Sequence, residues 1–333
     1  MDTIYYDHDA DLYHLEGKAV GVIGYGIQGR AQALNLRDAG VRVLVANRKD
    51  RYADQAAQDG FEAQPIAAVV RAADIVLFLI PDQAQADVYE ASVKGALRPG
   101  AMLVFAHGYA LRYRTVALRE DCDVAMLAPR MPGHHIRSAF QRGGGVPAFV
   151  DVAQDATGRA WPTLLALAKA AGFTRAGVLK VSFAVEAELD LFIEQFLVAS
   201  IVRHVYLGFK VLVEELGYPA VPTLMELYAS GELAEVLKLA ARMGIGEVFQ
   251  RNASPTCQFG IAANFNGSDG HDPAERIKRI VAGIRDGSFA KRLDAEGRAG
   301  YPMVRRLWEM VDDPRLLEAQ AWIARAFRGE EAP

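Results

Sequence analysis

A chain of 333 residues exceeds the size at which a single hydrophobic core usually stops growing, so two domains are expected. Apolar residues make up 51% and charged residues 23%, as in a folded globular protein, and a formal charge of −4 lacks the basic excess of a nucleic-acid binder. Cys122 and Cys257 form neither a disulfide framework nor a zinc-site spacing, and each is expected to be a buried small hydrophobe.

The start, MDTIYYDHDAD, is acidic and aromatic, unlike a secretory leader, and no apolar run reads as long enough to span a membrane. A cytoplasmic protein with no membrane partner is therefore expected. Residues 1–17 suit a short cap on the sheet that follows. Val20 to Gly40, VGVIGYGIQGRAQALNLRDAG, then reads as a buried strand, a tight glycine turn and a helix. Gly24 can make the sharp turn, Gly26 leaves room for a pyrophosphate, and Gly29 lets helix and strand pack closely. The helix N-terminus presents unpaired N–H groups to the phosphates. Tyr25, Ile27 and Gln28 complete this dinucleotide-binding turn.

A second parallel strand runs from Val41 to Arg48. Arg48, Lys49, Asp50 and Arg51 follow, where an acid would grip ribose hydroxyls and arginines would pair with a 2′-phosphate. Three cations against one acid favour NADPH, with NADH also open. Ala72 to Leu79 is the next strand, and Pro81 ends it near the cofactor edge; a helix from Gln83 to Lys94 and a strand from Gly100 to His107 come after. His107 falls at a strand's carboxyl end, where open α/β sheets place ligands. The segment Asp123 to His135 repeats strand and polar loop, with Arg130 and Gly133 in that loop. A strand from Val146 to Val152, the helix WPTLLALAKAAG and a short strand in FTRAGVLKVSF close a first domain at residue 182. A mainly parallel sheet covered by helices is the natural architecture.

From Ala184 to Leu216 the pattern becomes one long helical segment, with further helical runs at 223–230, 232–243, 272–285, 302–311 and 314–327. Residues 183–328 therefore read as an all-helical second domain, with the rest of the active site expected in the interdomain cleft. In VEAELDLFIEQFLVAS, Asp190 and Glu194 are i and i+4 and share a helical face. A divalent cation would relieve their repulsion, and hard oxygen ligands suit Mg²⁺. Glu186 and Asp190 have the same spacing, so spacing alone does not select the pair. Glu226, Glu232 and Glu235 are further acids, and Ser254 lies in a turn-rich stretch suited to a substrate carboxylate.

The stretches YYDHDADLYHLEGKAVGVIGYGIQGRAQALNLRDAG, FAHGY, QDATGRA, TRAGV and LDLFIEQ together resemble the shorter class of ketol-acid reductoisomerases. That resemblance implies a Rossmann-type domain joined to a knotted helical domain, paired helical domains building each site in a homodimer or higher oligomer, and use of NADPH and two Mg²⁺. The implied chemistry is alkyl migration followed by ketone reduction in branched-chain amino-acid synthesis. It makes Asp190 and Glu194 metal ligands, Glu226 a metal-associated acid, His107 part of the catalytic cleft and Ser254 a substrate contact.

The departures from the family pattern cluster around the metals and substrate. The usual GYGSQGHAHALNLRDSG carries Ile27, Arg30 and Gln32 instead of Ser, His and His. APKGPGH is APRMPGHH, placing Arg130 where a lysine lies beside the metals. The second glutamate of ECLHE falls on Ser230, with Glu232 able to take its place, and SNTAEYG has become SPTCQFG through Pro255 and Gln258. Alkyl migration demands stricter geometry than hydride transfer. The expectation is therefore a divergent, Mg²⁺-assisted, NAD(P)H-dependent reductase of a small 2-keto acid or related carbonyl. Alternatives are full reductoisomerase activity, imine reduction and a non-catalytic cofactor-binding protein.

Overall fold

The computed structural model describes residues 3–264, 273–303, 305, 306, 314, 315, 317 and 318. Two compact units divide the chain, Met1–Asp190 and Leu191–Pro333. The helical run expected at 272–285 is helix Pro273–Arg285, whereas those at 302–311 and 314–327 lie largely outside the described residues.

Among the described residues there are nine strands, all in the first unit, and they form one sheet. They are β1 (Ile4–Tyr5), β2 (Ala19–Ile23), β3 (Arg42–Ala46), β4 (Ala63–Gln64), β5 (Ile75–Phe78), β6 (Met102–Phe105), β7 (Asp123–Pro129), β8 (Ala148–Gln154) and β9 (Val178–Lys180), in spatial order β1-β9-β8-β7-β6-β5-β2-β3-β4. The run from β7 to β4 is parallel. β8 runs antiparallel to β7, and β1 antiparallel to β9, so the sheet is mixed. The carboxyl ends of β2, β5, β6 and β7 consequently share one edge, and strand order reverses direction at β2.

Period-two alternation sorts the strand side chains into two cores. Val20, Val22, Ile75, Leu77, Met102 and Val104 face one layer, which includes Leu34 of α1 (Ile27–Asp38) and Leu164 of helix Ala160–Ala170. Ile23, Val76, Phe78, Leu103 and Phe105 face the other, against Val69, Val70 and Tyr89. Each fully buried aliphatic or aromatic side chain contributes on the order of 1.5–3 kcal/mol. Four short helices, Arg51–Gln58, Ile66–Ala72, Tyr109–Tyr113 and Gly133–Gln141, join the expected elements, the last of them opening at Gly133, which had been expected in a polar loop. The N-terminal cap consists of β1 and two 3₁₀ turns, Asp7–Asp9 and Leu12–Leu15.

The second unit is mostly helical. A continuous helix from Phe183 to Glu215 enters it and is long and apolar enough to cross a membrane by length and composition, contrary to the expectation that no run reaches that length. Glu186, Glu188, Asp190 and Glu194 lie in its first twelve residues, and Arg203, Lys210, Glu214 and Glu215 follow further along. Only 6% of that apolar window is buried, with Leu197, Val198, Ile201 and Leu207 exposed. Cys122 is buried as expected, but Cys257 is exposed near the start of helix Pro255–Asn264.

Candidate active site

The glycine turn joins β2 to α1. Gly24 has φ +95°, and a Cβ there would meet Leu79 O at 2.6 Å, so the turn admits only glycine. A Cβ on Gly29 would lie 1.9 Å from Gly24 O, whereas one on Gly26 would meet nothing within 4 Å. The first amides of α1 thus lie beside backbone that a phosphate can approach. Gln28 Nε2 donates to Met131 O at 3.1 Å, and a Cβ on Gly133 would collide with Ile27 O at 1.9 Å, so the β7 loop is closely fitted to the turn. Gly26, Ile27, Arg51 and Gly133 line a cavity of about 430 Å³, together with Tyr52 and Arg137.

The other residues singled out for the cofactor are placed differently from one another. Tyr25 is fully buried; its N–H donates to Asn47 Oδ1 at 2.9 Å and its hydroxyl to Asp59 Oδ2 at 3.0 Å, so its side chain serves the core. Arg48 is exposed and pairs with Asp50 at 2.7 Å, while Asp50 also caps the next helix through Tyr52 N–H. Arg51 lies 4.8 Å over the Tyr52 ring. Pro81 is the residue immediately before helix Asp82–Val88.

A second group gathers at the ends of β5, β6 and β7, wholly within the first unit. Ser182 and Asp151 fix the start of α2 (Phe183–Ile193), accepting from Val185 N–H at 3.3 Å and Phe183 N–H at 3.1 Å. Gly108, just after His107, presses against this start: a Cβ there would lie 2.1 Å from Phe183 O. Gly108 N–H donates to Glu186 Oε2 at 2.7 Å. Arg130 then spans two turns of α2, donating from Nη1 to Glu186 Oε1 at 2.9 Å and from Nη2 to Asp190 Oδ1 at 2.5 Å. Its guanidinium carbon lies 5.0 Å over the Phe149 ring, which fixes the plane of the fork.

His107 completes the group. Nδ1 lies 3.0 Å from Asp82 Oδ2, while Nε2 lies 3.7 Å from Asp190 Oδ2 and 4.0 Å from Glu186 Oε2. Burial alone would lower its pKa, but the Asp82 hydrogen bond and the charges of Asp82, Glu186 and Asp190 prevail and raise it to about 9. Burial pushes the Glu186 carboxyl above its ordinary range, opposed by His107, the Gly108 N–H and Arg130.

Nε2 is buried and has no hydrogen-bond partner among the described residues. One atom each from His107, Glu186 and Asp190 can be chosen with all separations within 4.8 Å, a geometry consistent with a divalent cation. Asp82 orienting the outer nitrogen is the arrangement that metal-binding histidines usually have.

The structure therefore brings His107, Arg130 and Asp190 together, adds Asp82, which had not been singled out, and brings in Glu186, which spacing had left as an equal alternative to Glu194. Glu186 was legible as the acid one turn before Asp190, and Asp82 as the polar residue after a strand-ending proline. Glu194 lies one turn beyond Asp190 on the same helix, exposed, where the helix loosens into a π turn at Glu194–Val198. Glu226 occupies another π turn, Met225–Ala229, and Glu232 opens helix Glu232–Met243; both are exposed in the second unit. Glu235 pairs with Lys238 at 2.6 Å. Ser254 is exposed, its Oγ accepting from Cys257 N–H at 3.2 Å at the start of helix Pro255–Asn264.

A glycine cradle at one strand end and a His–Glu–Asp cluster at its neighbours define an NAD(P)H-dependent oxidoreductase with a metal-assisted site. Residues 14–177 match the NADPH-binding domain of acetohydroxy acid isomeroreductase, and residues 183–327 match the ketol-acid reductoisomerase C-terminal domain. The chain belongs to the ketol-acid reductoisomerase family. It is 40% identical over 316 residues to ketol-acid reductoisomerase (NADP(+)) 2 of Bifidobacterium longum, covering 94% of this chain and 89% of that one. The ketol-acid reductoisomerase (NADP(+)) of Caldivirga maquilingensis is 37% identical over 317 residues, or 95% of each. Among solved structures, an NADH-preferring ketol-acid reductoisomerase from an uncultured archean superposes with a TM-score of 0.91 at 33% identity, covering 98% of this chain and 99% of that one.

Proposed function

We propose that this protein is a Mg²⁺-assisted reductase of a 2-keto acid or related carbonyl that prefers NADPH to NADH. The observation that carries the reading is the Arg130 fork onto Glu186 and Asp190, because it alters the metal surroundings while the glycine turn stays intact. Hydride transfer needs a carbonyl beside the nicotinamide and positive charge near the forming alkoxide, and less exact metal geometry than carbon migration.

Glu186 and Asp190 would hold the cation, with His107 beside them, and Glu194, Glu226 and Glu232 are proposed as further ligands. A bound divalent ion supplies Lewis acidity toward the carbonyl oxygen. In the cation-free cluster His107, with its pKa raised to about 9, holds a proton among Asp82, Glu186 and Asp190, which a cation at this site would displace. Asp82 keeps the ring turned so that Nε2 faces Asp190. Arg130 bridges the two carboxylates, and Ser254 is proposed as a contact to the substrate carboxylate.

Full reductoisomerase activity on an acetohydroxy acid, as part of branched-chain amino-acid synthesis, is the second reading, favoured by the names of the Bifidobacterium and Caldivirga relatives. Product analysis separates the two. NADPH oxidation with a 3-hydroxy-2-keto acid and none with 2-acetolactate, each with and without Mg²⁺, is expected. Conversion of 2-acetolactate to the 2,3-dihydroxy acid would establish the second reading.

We further propose domains at 1–182 and 183–328, the knotted helical course that family membership suggests, a homodimer or larger assembly through the helical part, and a cytoplasmic setting. The exposed apolar residues of the helix Phe183–Glu215 favour assembly, and two free cysteines suit a reducing compartment.

A further inference from the structure

The Asp190–Glu186 pair has four carboxylate oxygens, and three are already engaged. Arg130 takes Glu186 Oε1 and Asp190 Oδ1, and Gly108 N–H takes Glu186 Oε2. The fourth, Asp190 Oδ2, faces His107 Nε2 at 3.7 Å. Arg130 itself is held from three sides. Its backbone N–H donates to Pro147 O at 2.9 Å, its guanidinium lies over Phe149, and both terminal nitrogens are bonded to carboxylates.

We propose that Arg130 is a built-in competitor for the metal site, restricting Asp190 to a single divalent ion bound through Oδ2. This rests on the reading that the cluster takes a divalent cation. An ion using Oδ1 as well must break a charge-assisted hydrogen bond and leave a guanidinium close to a dication. The ring of Phe149 and the backbone bond to Pro147 limit how far the guanidinium can retreat. An ammonium on a flexible stem can withdraw or rotate without surrendering a two-point fork, so lysine at this position would leave both Asp190 oxygens open. Arg130 thereby sets how many cations the site accepts, a property separate from the strength of the first binding event.

The test uses Mn²⁺ alone, added to the full-length protein without substrate, and counts bound ions from the loss of the free-ion electron paramagnetic resonance signal. Wild type is expected to take one ion per chain. Arg130→Lys, with charge preserved, is expected to take a second and to bind the first about tenfold more tightly. Arg130→Gln, which retains hydrogen bonding without charge, is expected to tighten binding at least as much. Two ions in the wild type, or a lysine variant that matches wild type in number and affinity, would overturn the proposal while leaving the metal-assisted reading intact. Tightening in the glutamine variant alone would show that charge and not the fork is responsible, and would also overturn it. No binding in any of the three would remove both the proposal and the reading on which it rests. Circular dichroism and thermal midpoints of the two variants establish that each is folded before its binding is compared.

Discussion

Asp82 Oδ2 lies 3.0 Å from His107 Nδ1, and this contact turns the opposite nitrogen of the ring toward Asp190. Replacing Asp82 with Asn removes the charge while keeping the volume and one acceptor oxygen. Turnover is expected to fall roughly 10–100-fold, the usual effect of losing a partner behind an active-site histidine. The His107 pKa should move down from about 9 in the cation-free protein, because burial would then face weaker opposition. Nuclear magnetic resonance titration of the ring, assigned with His107→Gln, measures that shift. An unchanged titration would show that Asp82 does not govern the ring.

Gly108 is tested by a single methyl. In Gly108→Ala the new Cβ would meet Phe183 O at 2.1 Å and Glu186 Oε2 at 3.0 Å, so the start of α2 must move. A stability loss of about 1–3 kcal/mol is expected from overpacking, read as a lower denaturant midpoint. Mn²⁺ affinity should fall as well, since Glu186 loses its fixed position. A stable variant with wild-type metal affinity would contradict the close fit.

Asp59 ties the glycine turn to the helix Arg51–Gln58 through Arg30 Nε at 2.6 Å and the Tyr25 hydroxyl at 3.0 Å. The Arg30 hydrogen bond, joined by that of Tyr25, outweighs burial and holds its carboxyl below the ordinary range. A depressed folded-state value contributes stability that is present above the unfolded value, about 3.9, and is lost as pH falls through the folded one. Asp59→Asn should therefore be less stable at neutral pH and show a shallower loss of stability with pH below about 5. Thermal midpoints measured between neutral and acid conditions check both parts.

Cys122 is almost fully buried, and burial together with the nearby Asp121 charge raises its thiol to about 11. It should resist alkylation at pH 8 in the native protein and react only on unfolding, because the thiolate is the reactive form. Peptide mapping after iodoacetamide treatment distinguishes it from Cys257. Rapid native labelling of Cys122 would contradict its placement under the sheet.

Particular residues show what the chain made legible. Gly24 and Gly29 could be assigned because each answers a local steric demand, a positive φ and a backbone contact, that no other residue meets. The longer parallel strands were legible for a similar reason, since burial makes each a short apolar run, whereas the two-residue β4 was not. Helices Ile66–Ala72 and Tyr109–Tyr113 were not, because five to seven residues give too few turns for a periodic signal. The pairing of Ile4 with Leu179 and the antiparallel course of β8 depend on contacts distant in sequence. Asp190 has an acid at i−4 and another at i+4, Glu186 and Glu194. Spacing treats the two alike, and it is Arg130 and the Gly108 N–H that draw in Glu186. The position of Arg130 was visible as a departure from the family pattern, but its two-carboxylate grip was not.

The acids near residue 190 are proposed to hold a hard cation for a nicotinamide-dependent reduction. A crystal structure of the protein with Mn²⁺ and NADPH, with anomalous scattering collected at the manganese edge, tests it most directly. A peak roughly 2.0–2.3 Å from an Asp190 carboxylate oxygen, with the nicotinamide directed toward the same site, is expected. An ordered NADPH with no manganese at Asp190 would contradict the account.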